Sequence, residues 1–256
     1  MLGVIGVGAI GAAIVAGLSE GCDAPAILLS PRNAKTVAEL DATYPNVRVA
    51  DSNQALVDQS DVVLLCVRPV DARRVMSDLT FRDQSLISVL AGVPIKALRE
   101  LAPPVRDIVR AIPLPAVSAR RGITPLYPAT EPARSLFNRL GRVIEVADET
   151  VFDRYSAATA TLAAHFLYMH QISNWLAAHG IAHTQAQHYV AAMFAELASS
   201  LKGRDPDFQE LMHEHATPGG INELFCQVMG EEGAWKTVDA GLDRVWQALM
   251  DRQNGG

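Results

Sequence analysis

The sequence predicts an α/β protein: a doubly wound parallel sheet over residues 1–148, followed by an all-helical domain over residues 149–256. Three observations carry this. Short apolar runs alternate with helical patterns through the N-terminal part, the signature of strand–helix–strand units. The first run ends in a glycine-rich turn that opens a helix. From Tyr155 to Ala195 the pattern is helical without a single Asp, Glu, Lys or Arg.

The strands are read in order as LGVIG, AILLS, VRVA, VVLLCV, SLISVL and DIVRAI. Several are apolar without alternation, which suits strands covered on both faces. Helical stretches start near Ala9, Asn33, Ser52, Pro69 and Pro94, and Pro103-Pro104 closes the fifth. The segment AIPLPAVSARRGITPLYPATEP is rich in proline and reads as loop and short strand. Ser135 to Leu140 is helical in pattern, and RVIEVA is a last strand. Beyond Asp205 come shorter helices, a loop at ATPGG and a final amphipathic helix.

The chain has 256 residues, enough for one large or two modest domains. Its net charge of -6 argues against a general nucleic-acid binder and against an anionic membrane surface. Cys22, Cys66 and Cys226 are far apart and form no CxxC, so neither a disulfide framework nor a zinc site is expected. Reduced thiols suit a cytoplasmic protein. No secretory leader and no membrane span are read.

Gly6-Val7-Gly8-Ala9-Ile10-Gly11 is a GxGxxG placed after a strand and at the start of a helix, the context of the Rossmann dinucleotide fold. Gly6 permits the tight turn, Gly8 lets a pyrophosphate approach the backbone, and Gly11 lets helix and strand pack closely. The helix N-terminus offers free N–H groups to the phosphates. Proteins that prefer NAD place an acid after the second strand. Here the chain reads Ser30-Pro31-Arg32-Asn33, whose hydroxyl, guanidinium and amide suit a 2′-phosphate. NADP(H) is the expected cofactor, and Arg68 on the same edge adds charge.

Five of the seven histidines fall in the uncharged stretch. Helices so free of charge are expected to be buried, most simply against a second copy of themselves, giving a homodimer or a higher oligomer through the C-terminal helices. His179 and His183 straddle Gly180, and no carboxylate completes a ligand set with them or with His213 and His215; no metal is expected. Thr217-Pro218-Gly219-Gly220 reads as a nest of N–H groups that suits a carboxylate, with Asn222 adding a donor. It also reads as a plain capping turn with Thr217 as cap.

Several of these pieces together resemble the pyrroline-5-carboxylate reductases, which reduce a cyclic imine with NAD(P)H to make proline. They are GVGAIGAAIVAGL, SPRN, Val67-Arg68-Pro69, Leu90-Ala91-Gly92, the RAIPLPA of Arg110 to Ala116, Gly122-Ile123-Thr124 and the TPGG of Thr217 to Gly220. The resemblance implies a Rossmann domain, a helical dimerisation domain and a small-molecule substrate between them. It implies that Gly6, Gly8, Ala9, Ile10, Gly11, Ser30, Arg32, Asn33, Val67, Arg68, Pro69, Ala91, Gly92 and Pro113 hold the cofactor. Pro113–Pro115 would sit over the nicotinamide.

The substrate half departs from the family. Leu114 replaces an asparagine. Thr159 to His165 stands where the family reads SGSGPAY, so His165 takes the place of a tyrosine. Met193 replaces a threonine thought to bond the imine nitrogen, and Ile221 and Asn222 replace two threonines that help hold the carboxylate. His165 and Thr161 are the candidate catalytic residues, His165 as a proton donor suited to neutral pH. A core histidine satisfied by a carbonyl is the competing reading. Thr159, Thr217, Gly219, Gly220 and Asn222 are the candidate substrate contacts. Two other functions stay open on the sequence. One is an NADP(H)-binding sensor or scaffold with a degenerate pocket. The other is a dehydrogenase of a different small carboxylic acid, against which stands the missing lysine in the central helix.

Overall fold

A computed structural model of the chain describes residues 1–201, 205 and 207–254. By internal contacts the chain forms two units: Met1–Ser156 with Trp246–Gly256, and Ala157–Val245. The sequence boundary at 148/149 lies eight residues before the observed one. The downstream segment returns to the first unit because its side chains join a buried network there.

The first unit is built on one sheet. Its strands are β1 (Leu2–Ile5), β2 (Ile27–Leu29), β3 (Val47–Val49), β4 (Val62–Leu65), β5 (Ser85–Ser88), β6 (Asp107–Ala111), β7 (Gly122–Tyr127) and β8 (Gly141–Glu145), in the order β3-β2-β1-β4-β5-β6-β7-β8. Between them run α1 (Ala9–Ser19), α2 (Ala34–Thr43), α3 (Asn53–Gln59), α4 (Ala72–Met76), α5 (Ile95–Leu101) and α6 (Glu131–Asn138). β1 to β6 are parallel, as expected. β7 then runs antiparallel to β6, through Arg110↔Tyr127 and Ala111↔Leu126, and β8 runs parallel to β7.

Side chains alternate across the sheet into two apolar layers. Leu2, Val4, Leu64, Ile87 and Val109 meet α1 and α6 residues such as Ile14 and Phe137 on one face. Ile5, Val63, Leu65, Leu86 and Ile108 meet Leu56, Met76 and Leu98 on the other. Each such side chain contributes about 1.5–3 kcal/mol when fully buried. This double burial explains why the strand sequences are apolar without alternation.

The proline-rich segment read as loop and short strand is more ordered than that. Pro115–Ala119 forms a 3-10 turn, and β7 is six residues long. The helix expected at Ser135 begins four residues earlier, at Glu131, with Pro132 in its first turn. The helix expected at Pro69 starts as a 3-10 turn, Pro69–Asp71, before α4.

A buried ion network closes the first unit. α7 (Glu149–Ala158) and α12 (Ala234–Asn254) bring it together with β6. Arg110 is 1% exposed; its Nη2 donates to Asp153 Oδ1 at 2.7 Å and its Nη1 to Glu149 Oε1 at 2.9 Å. Its guanidinium lies 4.5 Å from the centre of the Phe152 ring, while Nε is left without a hydrogen-bond partner. Gln253 Nε2 donates to the second oxygen of Asp153 at 2.7 Å, and the Ile95 N–H donates to Glu149 at 2.8 Å.

The second unit holds α8 (Thr161–Ala178), α9 (His183–Ser200), α10 (Phe208–His215) and α11 (Ile221–Glu231). α8 and α9 form a hairpin turned at Gly180, with the rings of His165 and Tyr168 edge-on to Phe194 at 5.0 and 6.0 Å. Within one chain these helices leave large apolar side chains in the open. Phe166 is 71% exposed, Trp175 62%, Tyr189 63% and Ile221 85%. The burial expected for this uncharged stretch is therefore not supplied by the chain itself. No helix among the described residues is long and apolar enough to cross a membrane.

Candidate active site

The glycine turn between β1 and α1 divides its labour among three positions. Gly6 has φ +92°, and a Cβ there would lie 2.8 Å from the backbone of Cys66. A Cβ on Gly11 would lie 2.7 Å from the Gly6 carbonyl oxygen. Both are dictated by packing. Gly8 differs: a Cβ there meets nothing within 4 Å. The fold itself does not require a glycine at position 8. What it does is keep the space above the helix start clear, as a diphosphate needs.

The donors facing that space are uncommitted. The first bond within α1 runs from the Ala12 N–H to the Gly8 carbonyl at 2.9 Å, so the N–H groups of Ala9, Ile10 and Gly11 have no partner inside the helix. No acidic side chain sits in the first turn. The residues thus fit an anionic dinucleotide by a cradle that a Cβ would obstruct and by a helix start that attracts anions.

β2 and β4 flank β1, so the segments that follow them flank this turn. Ser30 is 1% exposed, and its hydroxyl oxygen accepts the Gly6 N–H at 3.1 Å. Asn33 stands at φ 67°, and its amide donates to the Val7 carbonyl at 2.8 Å. Both side chains brace the turn. Arg32 remains exposed and, among the described residues, makes no ion pair. On the other side Val67 is half-buried, while Arg68 and Pro69 are exposed. Asp71 gathers two arginines there: Arg68 Nε and Arg74 Nη2 each donate to one of its oxygens at 2.7 Å. These arginines hold the Asp71 carboxyl down, from its ordinary 3.8 to about 2. A cavity of about 440 Å³ runs between the two sides, lined on its polar walls by Ser30, Arg32, Ser52, Asn53, Arg74 and Asp78.

Ala91 is exposed and Gly92 buried at φ +73°, both at the carboxyl end of β5. Pro113 is buried just past β6, and Leu114 precedes the 3-10 turn. Cys66, buried beside Gly6, has its thiol pushed up by burial and is chemically inert. Among the described residues no group of His, Cys, Asp or Glu could hold a metal ion.

The second unit carries the substrate-side residues. Thr161 and His165 lie one turn apart on α8. Thr161 donates to the Ala158 carbonyl at 2.8 Å, the local bond that a helix threonine commonly makes. Within the single chain His165 is exposed, its ring edge-on to Phe194. Thr159 is half-buried in the turn between α7 and α8.

At the start of α11 the nest is partly filled by the chain itself. The Gly219 N–H donates to Glu223 Oε2 and the Gly220 N–H to the Thr217 carbonyl, both at 2.8 Å. Asn222 Nδ2 donates to the His215 carbonyl at 2.9 Å. A Cβ on Gly220 would lie 2.6 Å from the Thr217 hydroxyl. The N–H groups of Ile221, Asn222 and Glu223 have no partner inside the helix, whose first bond is Leu224 N–H to Gly220.

Sequence reasoning missed Asp71, Arg74 and Glu223. The i, i+3 spacing of Arg68, Asp71 and Arg74 was the available signal. Glu223 stands where a carboxylate can reach back to a helix start.

Residues 1–92 match the family described as NADP oxidoreductase, coenzyme F420-dependent. A pyrroline-5-carboxylate reductase of Corynebacterium melassecola is 26% identical over 98% of this chain and 96% of its own length. Another, of Haemophilus influenzae, is 31% identical over 66% of each chain. In three dimensions the chain is similar to a 1-pyrroline-5-carboxylate reductase of Streptococcus pyogenes, at a TM-score of 0.82 and 24% identity, over 97% of both chains. That likeness supports the two-part fold.

Proposed function

The chain belongs to the pyrroline-5-carboxylate reductase family, and we propose that it reduces the C=N bond of pyrroline-5-carboxylate with NADPH, yielding proline. The observation that carries the reading is the open space over Gly8, faced by uncommitted N–H groups and flanked by Arg32.

NADPH would supply the hydride from C4 of its nicotinamide, so the protein need not carry redox chemistry of its own. The residues present fit it. The backbone of Gly8–Gly11 would take the diphosphate and Arg32 the 2′-phosphate. Val67, Pro69, Ala91 and Gly92 border the path along the carboxyl edge of the sheet, and Pro113 closes its far end. A protonated imine is already electrophilic, which lowers the demand on a protein acid. His165, on α8, is the proton donor of this reading. The start of α11 supports carboxylate binding through the N–H groups of Ile221, Asn222 and Glu223.

The active assembly is proposed as a homodimer through α8, α9 and α11, in the cytoplasm. Phe166, Trp175 and Tyr189 are too exposed and too apolar for a face meant to meet water.

The test is NADPH oxidation with pyrroline-5-carboxylate, then with a panel of other cyclic imines. Turnover of pyrroline-5-carboxylate supports the reading. Turnover of a different imine alone would move the substrate to that imine, with Leu114, His165 and Met193 as its selectors. NADPH binding without any turnover would refute the enzymatic reading.

A further inference from the structure

We propose that Arg74 is the second arginine of the 2′-phosphate site and sets a preference for NADPH over NADH, with Asp71 as its positioning residue. This rests on the cofactor reading above and deepens it.

The donor set after β2 is smaller than its residue types suggest. Ser30, 1% exposed, accepts the Gly6 N–H, and Asn33 gives one amide N–H to the Val7 carbonyl, so both face the glycine turn. Arg32 is left as the lone cation from that segment. The same cavity is lined by Asp78, an exposed carboxylate that works against an anion. With Arg32 alone the lining would carry no net charge. Arg74 lines the cavity along with Val67 and Val75 from the β4 side; with its partner Asp71 and the Arg68 that Asp71 also holds, the set is three arginines against two aspartates, a net charge of +1.

The position of Arg74 is not left to chance. Asp71 accepts from Arg74 Nη2 with one oxygen and from Arg68 Nε with the other. The carboxylate is 15% exposed, whereas the Arg68 and Arg74 side chains are 76% and 61% exposed. The acid is thus tucked in and the guanidinium it grips faces out. One N–H of Arg74 is engaged with Asp71, and the rest of its donor fork is available to a phosphate. Because β2 and β4 lie on either side of β1, Arg32 and Arg74 approach the space beside Gly6 from opposite flanks.

The experiment is calorimetric binding of adenosine 2′,5′-bisphosphate and of adenosine 5′-monophosphate, at fixed ionic strength, to the full-length protein. The two probes differ only in the 2′-phosphate. For the unaltered chain the bisphosphate is expected to bind more tightly. Arg74→Gln is expected to weaken the bisphosphate about tenfold and to leave the monophosphate within about twofold. Arg74→Lys, which keeps a point charge but loses the fork, should recover part of the loss. Asp71→Ala is expected to weaken the bisphosphate about threefold and to add nothing in the Arg74→Gln background; a merely structural role would lower the melting temperature and weaken both probes. The proposal is overturned if Arg74→Gln weakens both probes equally, or neither. In those cases the NADPH reading still stands, provided the unaltered chain discriminates. No discrimination by the unaltered chain overturns the NADPH preference and this proposal together.

Discussion

Replacing Asp153 by alanine removes the partner of the most deeply buried cation in the first unit. Arg110 and Asp153 are each 1% exposed at the side chain and meet at 2.7 Å. Breaking a buried pair from one side typically costs about 3–5 kcal/mol, because the surviving charge stays desolvated. Glu149 still holds Nη1 at 2.9 Å and is 30% exposed, so it can bring in water. The expected loss is therefore at the lower end, about 3 kcal/mol. In a chain of this size each kcal/mol moves the midpoint by roughly 2–4 °C, giving a fall of about 6–12 °C. Asp153→Asn should lose about half as much. Its oxygen still accepts from Arg110, but its amide would face the Gln253 amide, donor against donor. The assay is urea and thermal unfolding followed by circular dichroism, at one fixed protein concentration because association shifts the midpoint. A loss under about 1 kcal/mol with an unchanged urea slope would refute the reasoning, since it would mean that Arg110 finds water as readily as a carboxylate.

Other outcomes follow from the same geometry. Gly8→Val should leave the melting temperature within a few degrees, because a Cβ there meets nothing, yet weaken NADPH at least tenfold by fluorescence titration. Gly6→Ala should destabilise the fold itself, by roughly 1–3 kcal/mol, owing to its positive φ and the close Cys66 backbone. Glu223→Gln weakens the hold on the Gly219 N–H, so the KM for pyrroline-5-carboxylate should fall several-fold at unchanged kcat; a raised KM would show that the carboxylate serves the site. Asp71, with its carboxyl lowered from 3.8 to about 2, contributes its grip fully above its ordinary value and loses it only as the pH falls through about 2. Above the second ionisation of the probe's phosphates, from about pH 7.5 to about pH 9, the affinity ratio between the unaltered chain and Asp71→Asn should therefore stay constant on titration with adenosine 2′,5′-bisphosphate. Trp175→Glu should shift the sedimenting species to half its mass if the open face of α8 meets a second copy.

The cradle was legible because its logic is local: three glycines, a strand before and a helix after. The local geometry at Gly6 and Gly11 was legible too, as a tight turn and a close helix–strand approach. The residue types after β2 were legible as polar donors, but not what they would bind. Ser30 and Asn33 turn back onto the glycine turn, a choice that depends on where two separated segments meet. β7 was legible only as a short strand within a loop, since Pro125 and Pro128 suggest a loop to a reading by composition. Its partner strand supplies what the local sequence lacks. The Arg110 network was out of reach for another reason: its acids lie 39 and 43 residues away, and Gln253 lies 100 residues beyond Asp153. The open faces of α8 and α9 were read as buried because charge was missing. Missing charge marks a surface that avoids water, and within one chain Phe166, Trp175 and Tyr189 stand open on it.

The return of α12 to the first unit has a consequence for how the chain is made. Arg154 and Trp246 lie within the same unit, with the guanidinium 5.8 Å from the ring centre. The helical unit is thus an insertion whose two ends start from neighbouring points. During synthesis Arg110 can pair with Glu149 and Asp153 as soon as α7 emerges, but the second oxygen of Asp153 must wait until some ninety further residues have emerged and Gln253 can dock. Yet the wait is also an opening. Because the two crossing points adjoin, a short flexible linker from Ser156 to Trp246 would close a small loop at little entropic cost. The first unit could then be produced alone, and its nucleotide affinity measured free of everything the helices do.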